Sequence, residues 1–251
     1  MSMTKGSFAA APPAYSTIPP AAQMQFSVCC ISLNMSDRIR LLGCPAQIVA
    51  PIREAIKSAW GQIQSESSYC GAHEFKLLGN PWYGQSQDAV YARRLLTALL
   101  RTMAQCGWNL LQASDVSKKP HDKDTMFFES AVAPDPDAQL FAVSFNMSDR
   151  IRVIDAPAFM PFVKTAVQAQ WKYGIQEERD YYGSKELKLR GNPWFANGDE
   201  AVLARMLCAQ ICANIRAQGF KLYASVDISV GTDKGHDLET WVFRRVGPSW
   251  Q

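Results

Sequence analysis

The sequence predicts an α+β protein: two tandem copies of one ββαβαββ unit, each a mostly antiparallel sheet with two helices on one face. Three observations carry this. The chain repeats itself, for Asn34-Met-Ser-Asp-Arg-Ile-Arg40 recurs letter for letter at 146–152 and Gly79-Asn-Pro-Trp82 recurs at 191–194, both at an offset of 112 residues. At that offset 30 of the 84 positions over 34–117 are identical without a gap, which makes the duplication secure. Within each copy, short apolar runs are joined by turn-forming residues, which favours hairpins over βαβ crossovers. Two longer stretches per copy carry apolar residues every three to four positions, the period of a helix packed on one side.

The elements follow in order. Phe26 to Leu33 is a short apolar run with β-formers and reads as a strand. Asn34-Met-Ser-Asp37 carries turn formers, and Arg38-Ile-Arg-Leu41 alternates polar and apolar, so a hairpin results. From Pro45 the period changes: Ile48, Ile52, Ile56 and Ala59 or Trp60 recur at helical spacing, as do Phe159, Val163, Val167 and Trp171 in the second copy. Proline suits the first turn of such a helix, where its missing N–H would be unpaired anyway. Glu74-Phe-Lys-Leu-Leu78 reads as a strand closed by Gly79-Asn-Pro81. Ala89 to Met103 has the clearest helical stripe, with Asp88 at its positive N-terminal end and Gly107 past its C-terminus, both in keeping with helix-end chemistry. Trp108 to Gln112 and Thr125 to Phe128 complete the unit as two strands.

A period above one hundred residues far exceeds that of solenoid repeats, so each copy is a whole domain. The expected organisation is a Pro/Ala-rich disordered tail over 1–25, repeat domains at 26–130 and 139–247, and a linker at 131–138. A linker this short keeps the copies in contact. We expect a pseudo-twofold arrangement, an intramolecular version of a dimer, in a monomer or a homo-oligomer.

Composition limits the function. The chain has 251 residues, 47% hydrophobic, with a net charge of +3 spread evenly over 1–25, 26–135 and 136–251. No basic stripe marks a dedicated nucleic-acid binder. No run approaches the ~20 apolar residues of a membrane span, so no membrane insertion is expected. Met1 to Ala14 lacks the apolar core of a signal peptide. The seven cysteines are odd in number and irregularly spaced, with no C-x-x-C pair. They read as small buried hydrophobes in a reduced, cytoplasmic setting, and neither a metal nor a cofactor is expected.

Four groups of residues are candidates for chemistry. Arg38 and Arg40, with Arg150 and Arg152 in the second copy, fall on one face of a strand, where two guanidinium forks can grip a carboxylate or phosphate, or form a solvated face with Asp37 or Glu74 as partners. Trp82 and Trp194 offer either a structural plug or an aromatic wall for a ligand. His121 and Asp122, matched by His236 and Asp237, are the nearest approach to a general base and its orienter, but no nucleophile accompanies them in both copies. Pro12-Pro13-Ala14-Tyr15 resembles the Pro-Pro-x-Tyr ligand of WW domains, which take polyproline II segments in aromatic grooves. That resemblance implies a WW-domain partner bound through Pro12, Pro13 and Tyr15.

The reading these features support is a non-enzymatic tandem-repeat adaptor that binds a protein partner or ligand with acidic or phosphorylated groups. Two alternatives stand beside it. One is a hydrolase or transferase with a cleft between the repeats that uses the His-Asp loops. The other is an RNA or single-stranded DNA binder using the arginine strands and exposed aromatics.

Overall fold

A computed structural model describes residues 28–117, 123–130, 133–228 and 239–251. The first repeat runs β1 (Val28–Asn34), β2 (Arg38–Leu42), α1 (Ala46–Ala59), β3 (Ile63–Tyr69), β4 (Ala72–Leu77), α2 (Gln87–Gln105), β5 (Trp108–Ser114) and β6 (Thr125–Ser130). The second runs β7 (Leu140–Asn146), β8 (Arg150–Ile154), α3 (Met160–Gln170), β9 (Ile175–Tyr181), β10 (Ser184–Leu189), α4 (Gly198–Arg216), β11 (Phe220–Val226) and β12 (Thr240–Arg245). Among the described residues these strands form two six-stranded antiparallel sheets, ordered β3-β4-β2-β1-β6-β5 and β11-β12-β7-β8-β10-β9. The α+β class, the duplication and the two helices on one face of each sheet are as the sequence predicts.

Each unit holds one strand more than the predicted ββαβαββ and is ββαββαββ. The added strands are β3 (IQSESSY) and β9 (IQEERDY). Both lie at a sheet edge with most side chains exposed, so neither carries the apolar alternation that announces a half-buried strand.

Alternation sorts the sheet residues. In the first repeat Ile31, Leu33, Ile39, Leu41, Phe75 and Leu77 face α1 and α2 and form the core. In the second, Phe141, Val143, Phe145, Ile151, Val153 and Leu187 do the same beneath α3 and α4. The residues between them, Leu140, Ala142, Ile154 and Val242, point to the opposite face of the second sheet, and they belong to the core of the first repeat. That face is seated on α2, which lies against β7 and β8.

The layers therefore run sheet, helices, sheet, helices. A pseudo-twofold would bring like surfaces together; here the helical face of one repeat meets the bare sheet face of the next, a head-to-tail stack. Polar contacts hold it. Arg94 Nε lies 2.7 Å from Asp155 Oδ1, and a guanidinium N–H of Arg94 donates to the carbonyl of Tyr182 at 3.2 Å. Arg101 donates to the carbonyl of Leu140 at 2.9 Å. At one end β5 and β11 meet, and the Leu110 N–H donates to the Tyr223 hydroxyl at 2.6 Å. The fully buried Arg244 bridges Asn109 and Asp135 there, at 2.7 and 2.8 Å.

Candidate functional site

The two motifs repeated without change form one structural unit. In the first copy the turn after β1 offers its carbonyls to the Gly-Asn-Pro-Trp corner: the Leu77 N–H donates to Asp37 at 2.8 Å and the Trp82 N–H to Ser36 at 3.2 Å. The Trp82 indole N–H donates to the carbonyl of Arg38 at 3.2 Å. In the second copy Leu189 meets Asp149 at 2.8 Å, Trp194 meets Ser148 at 3.1 Å, and the Trp194 indole meets Arg150 at 3.2 Å. Trp82 is wholly buried, so it plugs the corner and is no ligand wall; Trp194 is half-buried against Phe145. The turn holds Met35 and Met147 at φ 54°, a left-handed conformation that costs a side chain of this kind energy, and it leaves both methionines exposed.

The arginines do fall on one face, as the strand period requires, but their forks already hold a carboxylate. Arg38 and Arg40 both bond Glu74, the latter at 2.6 Å. Arg150 and Arg152 bond Glu186 at 2.5 and 2.6 Å, joined by Arg179 at 2.8 Å. The expected grip on an external anion is thus met from within, by a residue on the neighbouring strand. Burial works to raise the pKa of Glu74, but hydrogen bonds from Arg40 and Arg38 outweigh it and hold the carboxyl below its ordinary value. For Glu186 the same contest is won chiefly by Arg152.

Around this ion cluster each copy builds the same polar network. Asn34 donates to Ser32 Oγ at 2.7 Å and accepts from Arg40 at 3.2 Å, while the Arg40 guanidinium stacks 4.1 Å above the Tyr69 ring. In the second copy the corresponding distances are 2.9, 3.1 and 4.1 Å, through Asn146, Ser144, Arg152 and Tyr181. What differs is the cover. The network of the second copy lies in the sheet face beneath the first repeat, with Ser144, Asn146 and Arg152 buried. In the first copy nothing among the described residues covers the face, and Ser32, Asn34 and Arg40 stay partly exposed.

This bare face is a groove of about 380 Å³ lined by Cys30, Arg40, Leu42, Tyr69, Val116 and Phe127, among others. Their counterparts in the second copy are Ala142, Arg152, Ile154, Tyr181, Ile228 and Val242; all but Arg152 belong to, or pack against, the cluster that contains α2. The groove thus corresponds to the sheet face that packs on the first repeat in the other copy, where α2 lies against β7 and β8. Sequence reasoning singled out the arginines and missed the apolar half of this face, although the alternation of Cys30, Ser32 and Asn34 with core residues was there to read.

His121, Asp122, His236 and Asp237, and likewise Pro12, Pro13 and Tyr15, lie outside the described residues. Asp124, two residues after Asp122 in the sequence, takes part in the junction: its N–H donates to the carbonyl of Asp227 at 3.1 Å, and its carboxylate accepts the Asp227 N–H at 2.9 Å. Burial pushes the pKa of this carboxyl up. Among the described residues no group of three or more His, Cys, Asp or Glu is placed to hold a metal ion, and no helix is long and apolar enough to cross a membrane.

One domain-family model matches the chain twice, over residues 27–129 and 139–244. No curated protein and no solved structure matches it.

Proposed function

We propose that this chain, which belongs to the family whose domain it carries twice, is a tandem-repeat interaction protein that receives a helix in the bare sheet face of its first repeat. The observation that supports this is the internal precedent. The equivalent face of the second repeat, with the same Ser-Asn-Arg-Glu-Tyr network, already seats helix α2.

The chemistry of the groove suits such a partner. Ser32, Asn34 and Arg40 are bonded to one another and to Glu74, which lowers the main penalty in burying polar surface. Around them Cys30, Leu42, Val116 and Phe127 offer apolar contact. An anionic ligand is less well served, because Glu74 already occupies both forks. A helix presenting an apolar stripe is the occupant this surface favours.

The test is a selection of phage-displayed amphipathic helices against the immobilised full-length chain. Selected helices should lose about tenfold or more in affinity against Leu42→Glu and Val116→Glu, two exposed positions where charge leaves the melting temperature nearly unchanged. Binders indifferent to both substitutions, or no binders at all, would contradict the reading.

A further inference from the structure

We propose that the helix received by this groove is α4 of a second copy of the chain, so that molecules associate head to tail through the contact that joins the two repeats inside each one. This rests on the reading above and names its occupant.

The internal contact supplies the template. The outer face of α2 that meets the second sheet includes Val90, Arg93, Arg94, Thr97 and Arg101; the equivalent positions of α4 are Val202, Arg205, Met206, Ala209 and Ala213. Val90 and Arg93 are buried, whereas Val202, Arg205, Met206, Ala209 and Ala213 are exposed. The inner face of α4 keeps Ala204, Leu207, Ile211 and Ile215 in its own core, so the outer face is presented without unfolding anything. Among the described residues the stack thus ends with the two halves of one interface, each uncovered: the sheet seat at one end and the helix at the other. An interface of this unlike, head-to-tail kind continues from molecule to molecule until it closes a ring or extends a filament.

Three details fit burial of these surfaces against each other. Arg93, in the covered face, turns its guanidinium onto the carbonyl of Ala89 at 2.9 Å; Arg205 already does the same to Ala201 at 2.7 Å. The ion pair of the internal contact, Arg94 with Asp155, corresponds to Met206 and Gly43, so both charges of that pair are missing together and neither is left without the other. The loop geometry is retained as well: Gly43 has φ 66° and Asp155 has φ 61°.

The experiment is analytical ultracentrifugation of the full chain over a wide range of concentration. The mass should rise above the 27.9 kDa of one chain as concentration increases. Leu42→Glu blocks the seat and Met206→Glu blocks the helix; each variant alone should remain a single chain. An equimolar mixture of the two, in which one good seat meets one good helix, should form a two-chain species and stop there. A wild-type chain that stays single at every concentration overturns the proposal, and is also the result expected if residues 1–27 cover the groove instead. Association of either variant with itself, or no association in the mixture, overturns it too. A single-chain wild type whose groove still takes displayed helices refutes self-association alone and leaves the helix-receiving function standing.

Discussion

Glu186 shows what one side chain does in this fold. It is fully buried and receives bonds from Arg150, Arg152 and Arg179, so removing its charge leaves the buried Arg152 guanidinium without its counterion. Glu186→Gln should cost about 3 kcal/mol in urea unfolding, the usual loss when one partner of a buried pair is removed. Glu74→Gln should cost less, because its arginine partners are partly exposed. The pH dependence follows from the direction of the shift. Both carboxyls titrate below their ordinary value of 4.5 in the folded chain, so their contribution is complete above that pH and is lost as pH falls through the lowered values. The melting temperature should therefore fall steeply below about pH 4.5, and less steeply in Glu186→Gln. The sequence showed that the arginines share a face and offered Glu74 beside Asp37 as an internal partner; it could not decide between that carboxylate and an external anion. The bonds to Glu74 and Glu186 depend on a strand register 34 to 36 residues away, and nothing local specifies that.

At the scale of elements, α2 and α4 form a matched pair. They have the same length of 19 residues and equivalent inner faces, but α2 is buried on both sides and α4 on one. Val90 is 0% exposed and its counterpart Val202 57%. In dilute solution Val90→Ala should cost about 2 kcal/mol, two methylenes plus a cavity, while Val202→Ala should stay within about 0.5 kcal/mol. Equal costs at the two sites would place α2 in a solvent environment like that of α4. The Gly-Asn-Pro-Trp corner gives a second comparison. Trp82→Ala should cost about 4 kcal/mol, and Trp194→Ala less, since Trp194 is only half-buried. The helices and hairpins were legible because each has one buried side and hence a clear period. The edge strands β3 and β9 were not, because solvent on both faces leaves no period to read.

The whole molecule is a stack, and its order was the least legible feature. Duplication implies two like units, but whether they meet face to face or head to tail depends on which surfaces are apolar on both sides. The clue lay in β7 and α2. All of β7 is buried, whereas β1 alternates between buried and partly exposed, and α2 buries residues on every side. Both mark an element packed between two layers. Because the repeats share one core cluster, heat should unfold them in a single cooperative transition by calorimetry; two separated transitions would indicate independent domains.

The stack itself is tested most directly by a photo-reactive phenylalanine analogue in place of the partly exposed Arg94, irradiated in dilute full-length protein and mapped by mass spectrometry. The account predicts a cross-link within one chain, from α2 to the segments around Asp155 and Tyr182. Capture within the first repeat alone, or of no peptide from the second, would contradict it.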